Sequence, residues 1–214
     1  MDLKFAFRSL FKSPGFTLLA IVVMALGIGA NTAVFSVVNA VLLKPLDGPE
    51  PDRIVTLASL ARQTGSHYQV SAPDFHDWHD QSTAFIAMAY YTNGETAVST
   101  GRTADYANVA SITPEFLRVF AVEPVVGRFF SAEEVKRGGP RAVLISSSFW
   151  RAHFAGKPDA LGQTIRLFDN NFTIVGVLPT GFHFPDKTDI WFPANTIFEE
   201  TSSRSGHNYL VVAR

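Results

Sequence analysis

The hydrophobic and polar positions of the chain divide it into two unequal parts. From Ser13 to Leu43, between Lys12 and Lys44, no side chain is charged, and Phe16 to Val38 is dominated by Leu, Ile, Val, Met, Phe, Ala and Gly. Crossing the hydrocarbon core takes about 20 predominantly apolar residues, and a lone run of that length has to satisfy its backbone internally, as a helix. A cleaved signal peptide is the competing reading, but its apolar core spans only about 7–15 residues. The pattern therefore predicts an uncleaved membrane helix over residues 15–43.

Before that run, Leu3, Phe7, Leu10 and Phe11 recur at helical spacing while Lys4, Arg8 and Lys12 fall four apart on another face. The spacing predicts an amphipathic helix in residues 1–14, lying in the membrane interface with its basic residues toward anionic headgroups. The alternative is a basic flank without helical order. Ser13-Pro14-Gly15 breaks the pattern and predicts a bend. The basic residues outweigh the lone Asp2, which places this end in the cytoplasm and the rest of the chain outside. Within the run, Ala25, Gly29 and Ala33 form a small-residue strip at a spacing of four, suited to packing against another membrane helix. Asn31, Thr32 and Asn39 add polar groups for such a neighbour. No second apolar run of sufficient length occurs between Lys44 and Arg214, so the neighbour is expected on another chain or on sequence outside this one.

Residues 44–214 switch to short alternating segments. Arg53–Leu60 predicts a strand after the Gly48-Pro49-Glu50-Pro51 turn. Ser71-Ala72-Pro73-Asp74 predicts a helix start (a serine cap, a proline in the first turn and an acid three residues on) for a helix reaching Gln81 with Phe75 and Trp78 inward. Strands are predicted at Phe85–Thr92, Thr96–Thr100 and Asp105–Ala110, with turns at Asn93-Gly94 and Gly101. Thr113-Pro114-Glu115 opens a short helix that buries Phe116, Leu117 and Phe120. Ser131-Ala132-Glu133-Glu134 is a capping box, and Gly138-Gly139-Pro140 ends the helix it would start. A strand at Ala142–Ile145 and a helix at Ser147–Phe154 follow. Gln163–Phe168 and Phe172–Leu178 predict a hairpin about Asp169-Asn170-Asn171, and Tyr209–Ala213 a further strand. The fold class expected is a membrane-anchored α+β protein with mixed sheets.

Composition narrows the function classes. A formal net charge of −1 over 214 residues carries no basic stripe of the kind nucleic-acid binders show, so no nucleic acid is expected. The absence of cysteine excludes disulfides, thiolate metal sites and cysteine nucleophiles. His76 and His79, three apart among Asp74, Asp77 and Asp80, make the most site-like stretch. A zinc site would need further ligands that His67, His153, His183 and His207 do not supply in any recognisable cluster, so a solvated acidic helix face is expected instead. Gly27-Ile28-Gly29 lies inside the membrane run with no strand before it, and no phosphate loop, GxSxG or HExxH occurs. Asn171-Phe172-Thr173 matches a glycosylation acceptor but falls in a hairpin, and Ser146-Ser147-Ser148 has no identifiable base. No catalytic, cofactor or metal residues are assigned, and no enzyme is expected.

The residues also carry a family resemblance. Ser13-Pro14-Gly15-Phe16-Thr17, Ala25 through Ser36, Ser71-Ala72-Pro73-Asp74-Phe75 with Asp77-Trp78, and Val125-Val126-Gly127-Arg128-Phe129-Phe130 are its first half. Val143-Leu144-Ile145-Ser146 with Phe149-Trp150, Ile174-Val175-Gly176-Val177-Leu178-Pro179 with Gly181-Phe182, and Asp189-Ile190-Trp191 complete it. In this order they resemble the N-terminal part of ABC transporter permeases of the macrolide-exporter (MacB/FtsX-like) type, above all the acidobacterial duplicated orphan permeases. The resemblance implies a periplasmic core domain after the first membrane helix, an inner-membrane location, and a separate cytoplasmic ABC ATPase that hydrolyses ATP. It also implies contacts with further permease helices or a second permease copy, and with lipid. Transport without substrate passing between the helices is implied as well. Members continue beyond the point matching Arg214, so a fragment, a truncated gene or a short paralogue is expected. A singly anchored sensing or scaffold module, and more remotely an anchored hydrolase, are the alternatives.

Overall fold

A computed structural model describes residues 12–38, 50–101, 103–194, 196–197 and 199–214. The expectations for Lys4, Arg8 and the rest of residues 1–11, for Asn39 and for the 39–49 connection lie outside them. The chain divides into two compact units, Met1–Leu46 and Asp47–Arg214.

In the first unit, Lys12 is helical, Ser13 is not, and helix α1 (Pro14–Val38) begins at the proline. Proline suits this position because its missing N–H would have had no intrahelical partner. Thr17 closes the first turn, both its N–H and its hydroxyl reaching the Ser13 carbonyl at 3.1 Å. The helix has 25 residues and is therefore about 37 Å long. None of the apolar window Pro14–Ser36 is buried.

The second unit is a mixed sheet with three short helices against it. Its strands are β1 (Val55–Leu57), β2 (Ser59–Leu60), β3 (His67–Tyr68), β4 (Met88–Thr100), β5 (Thr103–Ile112) and β6 (Val126–Gly127). They continue as β7 (Ala142–Ser146), β8 (Thr164–Leu167), β9 (Asn170–Leu178), β10 (Ile190–Pro193) and β11 (Leu210–Ala213). The helices are α2 (Ala72–Gln81), α3 (Phe116–Phe120) and α4 (Ser147–Phe154). The main sheet runs β1-β11-β4-β5-β10-β7-β9-β6, and β8 pairs with both β9 and β4. This last pairing closes β4, β5, β10, β7, β9 and β8 into a ring, so none of those six ends the sheet there. The β5–β10 and β7–β9 pairs are parallel and the remaining pairs antiparallel.

Strand periodicity sorts the apolar side chains into separate cores. On β7, Val143 and Ile145 join a cluster drawn from all six ring strands, whereas Ala142 and Leu144 join a second cluster under α3. On β10, Ile190 and Phe192 go to the first and Trp191 to the second. A bulge in β9 keeps this division. Val143 pairs with Ile174 but Leu144 with Gly176, so Val175 is the extra residue and Val177 returns to the ring cluster. A third cluster, with Phe75 of α2 against Met88, Tyr90, Val211 and Ala213, covers the β4–β11 end.

Two turns differ from expectation. Asn93-Gly94 lies inside β4, paired with Ala110 and Val109, because the β4–β5 ladder runs on to Thr100↔Thr103 and turns at Gly101 (φ 77°). The β8–β9 hairpin turns at Phe168-Asp169, both at positive φ, one residue earlier than the asparagines. The Phe168 ring rests 5.8 Å from that of Phe192, and this packing holds a bulky residue in a conformation usually left to Asn or Gly. Ser131 and Glu134 make the reciprocal bonds of a capping box, yet residues 132–135 form turns and no helix.

Candidate functional site

The first feature with functional content is the surface of α1. Ala25, Gly29 and Ala33 share one face and are all exposed, and a Cβ added at Gly29 would have no atom within 4 Å. Large side chains stand open around the helix, among them Phe16 at 72% and Leu26 at 68% exposure. A helix apolar on all sides and left uncovered among the described residues is matched to lipid or to another apolar helix. Lys12 is exposed just before the Ser13 break.

The second feature is the polar surface of α2. The Ser71 hydroxyl accepts from the Asp74 N–H at 3.2 Å and donates to Asp74 Oδ2 at 2.8 Å. That bond, helped by the guanidinium of Arg204, holds the Asp74 carboxyl below its ordinary range. Arg204 bridges two carboxylates about one helical turn apart, 2.5 Å from Asp74 Oδ1 and 2.7 Å from Asp77 Oδ2. The acidic helix face expected here is solvated at Asp80, whose side chain is 77% exposed, and at Asp77, 48% exposed and held by Arg204, while Asp74 is drawn further in at 27%. The two histidines do not converge. His76 Nε2 pairs with Glu200 at 3.0 Å, while His79 lies 3.2 Å from Asp80 and 3.5 Å from Glu115. Among the described residues no group of three or more His, Asp and Glu is arranged to hold a metal ion.

Arg204 and Glu200 belong to the long crossover 194–209 between β10 and β11. Glu200 also takes the hydroxyl of Tyr90, a residue with 1% exposure, and His207 Nδ1 lies 2.9 Å from the Gln69 carbonyl. The crossover is thus strapped to α2 almost wholly by charge and hydrogen bonds. Sequence reasoning missed it, since its partners are 124 and 130 residues apart and no local pattern links them.

The serine run is consumed by structure. Ser146 Oγ caps α4 by accepting from Phe149 N–H at 3.0 Å and sits 3.3 Å from Asp189, and Ser147 donates to the Leu178 carbonyl at 2.7 Å. Asn171 and Thr173 lie in β9 on either side of fully buried Phe172.

The geometry is that of an apolar helix followed by an α+β domain whose polar clusters serve structure, and comparison with known proteins decides the family. The family model of the MacB-like periplasmic core domain matches residues 17–214. The chain belongs to that family. The match takes in most of α1 as well as the sheet domain, which marks a MacB-like periplasmic domain of an ABC transporter permease with an N-terminal apolar helix. A curated relative, the macrolide export ATP-binding/permease protein MacB of Bdellovibrio bacteriovorus, is 26% identical over 125 residues, covering 58% of this chain and 19% of that protein. The match thus spans about a fifth of that relative's length. The periplasmic region of MacB from Actinobacillus actinomycetemcomitans superposes with a TM-score of 0.55 at 16% identity, covering 75% of this chain and 72% of that one. The extracellular domain of the noncanonical ABC-type transporter YknZ from Gram-positive bacteria gives 0.57 at 16% identity over 75% and 82%. A domain of a permease protein from Porphyromonas gingivalis gives 0.58 at 21% identity over 78% and 77%. These structures share the fold of the MacB-like domain.

Proposed function

We propose that this chain is the N-terminal portion of an ABC transporter permease of the mechanotransmission, efflux-associated type. Residues 1–14 form a cytoplasmic interfacial helix in which Lys4, Arg8 and Lys12 meet anionic headgroups. Residues 15–43 cross the inner membrane, and residues 44–214 form the periplasmic domain. ATP is hydrolysed on a separate cytoplasmic ABC ATPase, and its motion reaches the outer domain through α1 acting with further permease helices or a second permease copy. Ala25, Gly29 and Ala33 are the face on which such a helix packs. The observation that carries this reading is an apolar, exposed helix that falls within the same MacB-like family match as the sheet domain. The Asp2–Lys12 charge balance supports the cytoplasmic N-terminus.

Affinity purification of the tagged chain from its native membranes tests the proposal. An ABC ATPase or a longer permease should co-purify in stoichiometric amount and be lost when Gly29 is replaced by Leu. Recovery of the chain with other envelope proteins and no ATPase would favour the sensing or scaffold role instead.

A further inference from the structure

Residues 199–208 of the crossover read Glu-Glu-Thr-Ser-Ser-Arg-Ser-Gly-His-Asn, without one apolar side chain, and none of them is buried. A stretch of this composition has no apolar surface to offset its ordering and does not fold by itself. Both flanks are fixed. The Thr196 hydroxyl donates to the Pro193 carbonyl at 2.7 Å on one side, and Tyr209 and Val70 exchange backbone bonds of 2.8 and 3.1 Å on the other. Between them charge does most of the holding. Glu199 meets Arg137, Glu200 meets His76, and Arg204 meets Asp74 and Asp77. A hollow of about 230 Å³ opens among Val135, Arg137, Glu199 and Glu200, so solvent already reaches the first of these pairs.

Two tyrosines end on this strap. Tyr90 is buried, its ring edge-on to Phe75 at 4.9 Å and 4.5 Å from the ring of Tyr209, and its hydroxyl donates to Glu200. The Tyr209 hydroxyl is hydrogen-bonded by the backbone of Thr201. Lifting the strap takes both partners away and opens the hydroxyl ends of the pair to water. The strap also has its own turn, with the Gly206 N–H on the Ser203 carbonyl at 3.2 Å, and can leave as one piece.

Ion pairs between solvent-exposed groups are individually weak and are screened by salt. Apolar burial does not depend on charge, so the same salt leaves the clusters of the sheet in place. We propose that residues 199–208 are a strap set by ionic strength: at low salt the ion pairs hold it down, and rising salt releases it and bares Tyr90 and Tyr209. The device needs no change in the sheet and does not depend on whether an ATPase works with this chain.

The test uses the full chain in nanodiscs of zwitterionic lipid, with tyrosine nitration by tetranitromethane read residue by residue by mass spectrometry. Sodium chloride is raised from about 10 mM to about 1 M, which shortens the Debye length from about 30 Å to about 3 Å. Nitration of Tyr90 and Tyr209 should accelerate about fivefold or more, the factor that loss of pairs of this kind supplies. Tyr106, already exposed, should react at the same rate throughout, and Tyr91, buried in the cluster under α3, should stay protected. Arg204→Gln should show the fast rates at low salt and little further response, and sucrose at matched osmolality should change nothing. Nitration of Tyr90 that is flat with salt, an equal rise at Tyr91, an equal rise in sucrose, or an undiminished salt response in Arg204→Gln would each overturn the proposal.

Discussion

Arg128 grips Glu134 with both prongs of its guanidinium, Nη1 to Oε2 and Nη2 to Oε1, each at 2.7 Å. Glu134 is the buried member, with 9% of its side chain exposed against 54% for Arg128, and its Oε2 also accepts from the Ser131 N–H at 2.7 Å. The Arg128 bonds and the Ser131 N–H together take the Glu134 carboxyl from an ordinary 4.5 down to about 2.

A carboxylate lowered on folding stabilises the native state above its unfolded pKa, and that contribution disappears as pH falls through the folded value. The Glu134 contribution is therefore complete above pH 4.5 and is lost between 4.5 and about 2. With solvent screening of the half-exposed arginine it amounts to about 2 kcal/mol. Urea unfolding followed by tryptophan fluorescence checks this, because Trp78, Trp150 and Trp191 all lie in the outer unit. Glu134→Gln should lower stability at pH 7 by roughly 1–2 kcal/mol and flatten the acid decline over that window.

The next residue back sits in a backbone-to-backbone contact. Gly127 pairs with Gly176 across β6 and β9. A Cβ on Gly127, held at φ 83°, would fall 2.3 Å from the Val175 carbonyl oxygen, and one on Gly176 would fall 2.6 Å from that of Arg128. Alanine at either position should destabilise the domain by about 2 kcal/mol or more. Gly94→Ala, with nothing within 4 Å, is the control and should leave the unfolding midpoint within measurement error.

The strap over α2 should open before the sheet does. Arg204 is 60% exposed and holds its two carboxylates through charge-assisted hydrogen bonds at the surface, an attachment that salt weakens. In hydrogen exchange, Arg204→Gln should raise rates in residues 199–208 severalfold while β7 and β9 stay protected. Raising salt to molar levels should reproduce much of this in the parent protein and add little in the variant.

On α1 the strip Ala25, Gly29 and Ala33 should behave as a packing face. Gly29→Leu should reduce association with a partner helix by about 1–2 kcal/mol, measured by cross-linking yield across a dilution series in lipid. The volume-conserving change Leu26→Ile, off the strip, should have no comparable effect.

The sequence yields the elements whose information is local. The Ser71 cap places α2 from sequence, and Ser146 caps α4 in the same way, because a hydroxyl accepting from the N–H three residues on needs nothing distant, although the serine run does not single it out. Helix α1 is legible from length and the absence of charge alone. Long-range pairing decides the rest. Asn93-Gly94 looks like a hairpin turn until β5 supplies the ladder that carries β4 straight through it. The ring closed by β8 depends on Val98↔Leu167, a contact no periodicity encodes. For the same reason the histidines of α2 show their proximity in sequence, but their partners Glu200 and Glu115 appear only when the crossover and α3 fold against them.

The account rests on α1 crossing the membrane with the sheet domain outside, and cysteine accessibility tests that most directly, since the chain has no cysteine of its own. Lys12→Cys and Ser202→Cys are single reporters on exposed residues before and after the helix. In intact spheroplasts a membrane-impermeant maleimide should label Ser202→Cys fully and Lys12→Cys only after the membrane is opened. Labelling of Lys12→Cys in intact spheroplasts with Ser202→Cys protected, or release of the sheet domain as a soluble fragment lacking α1, would contradict it.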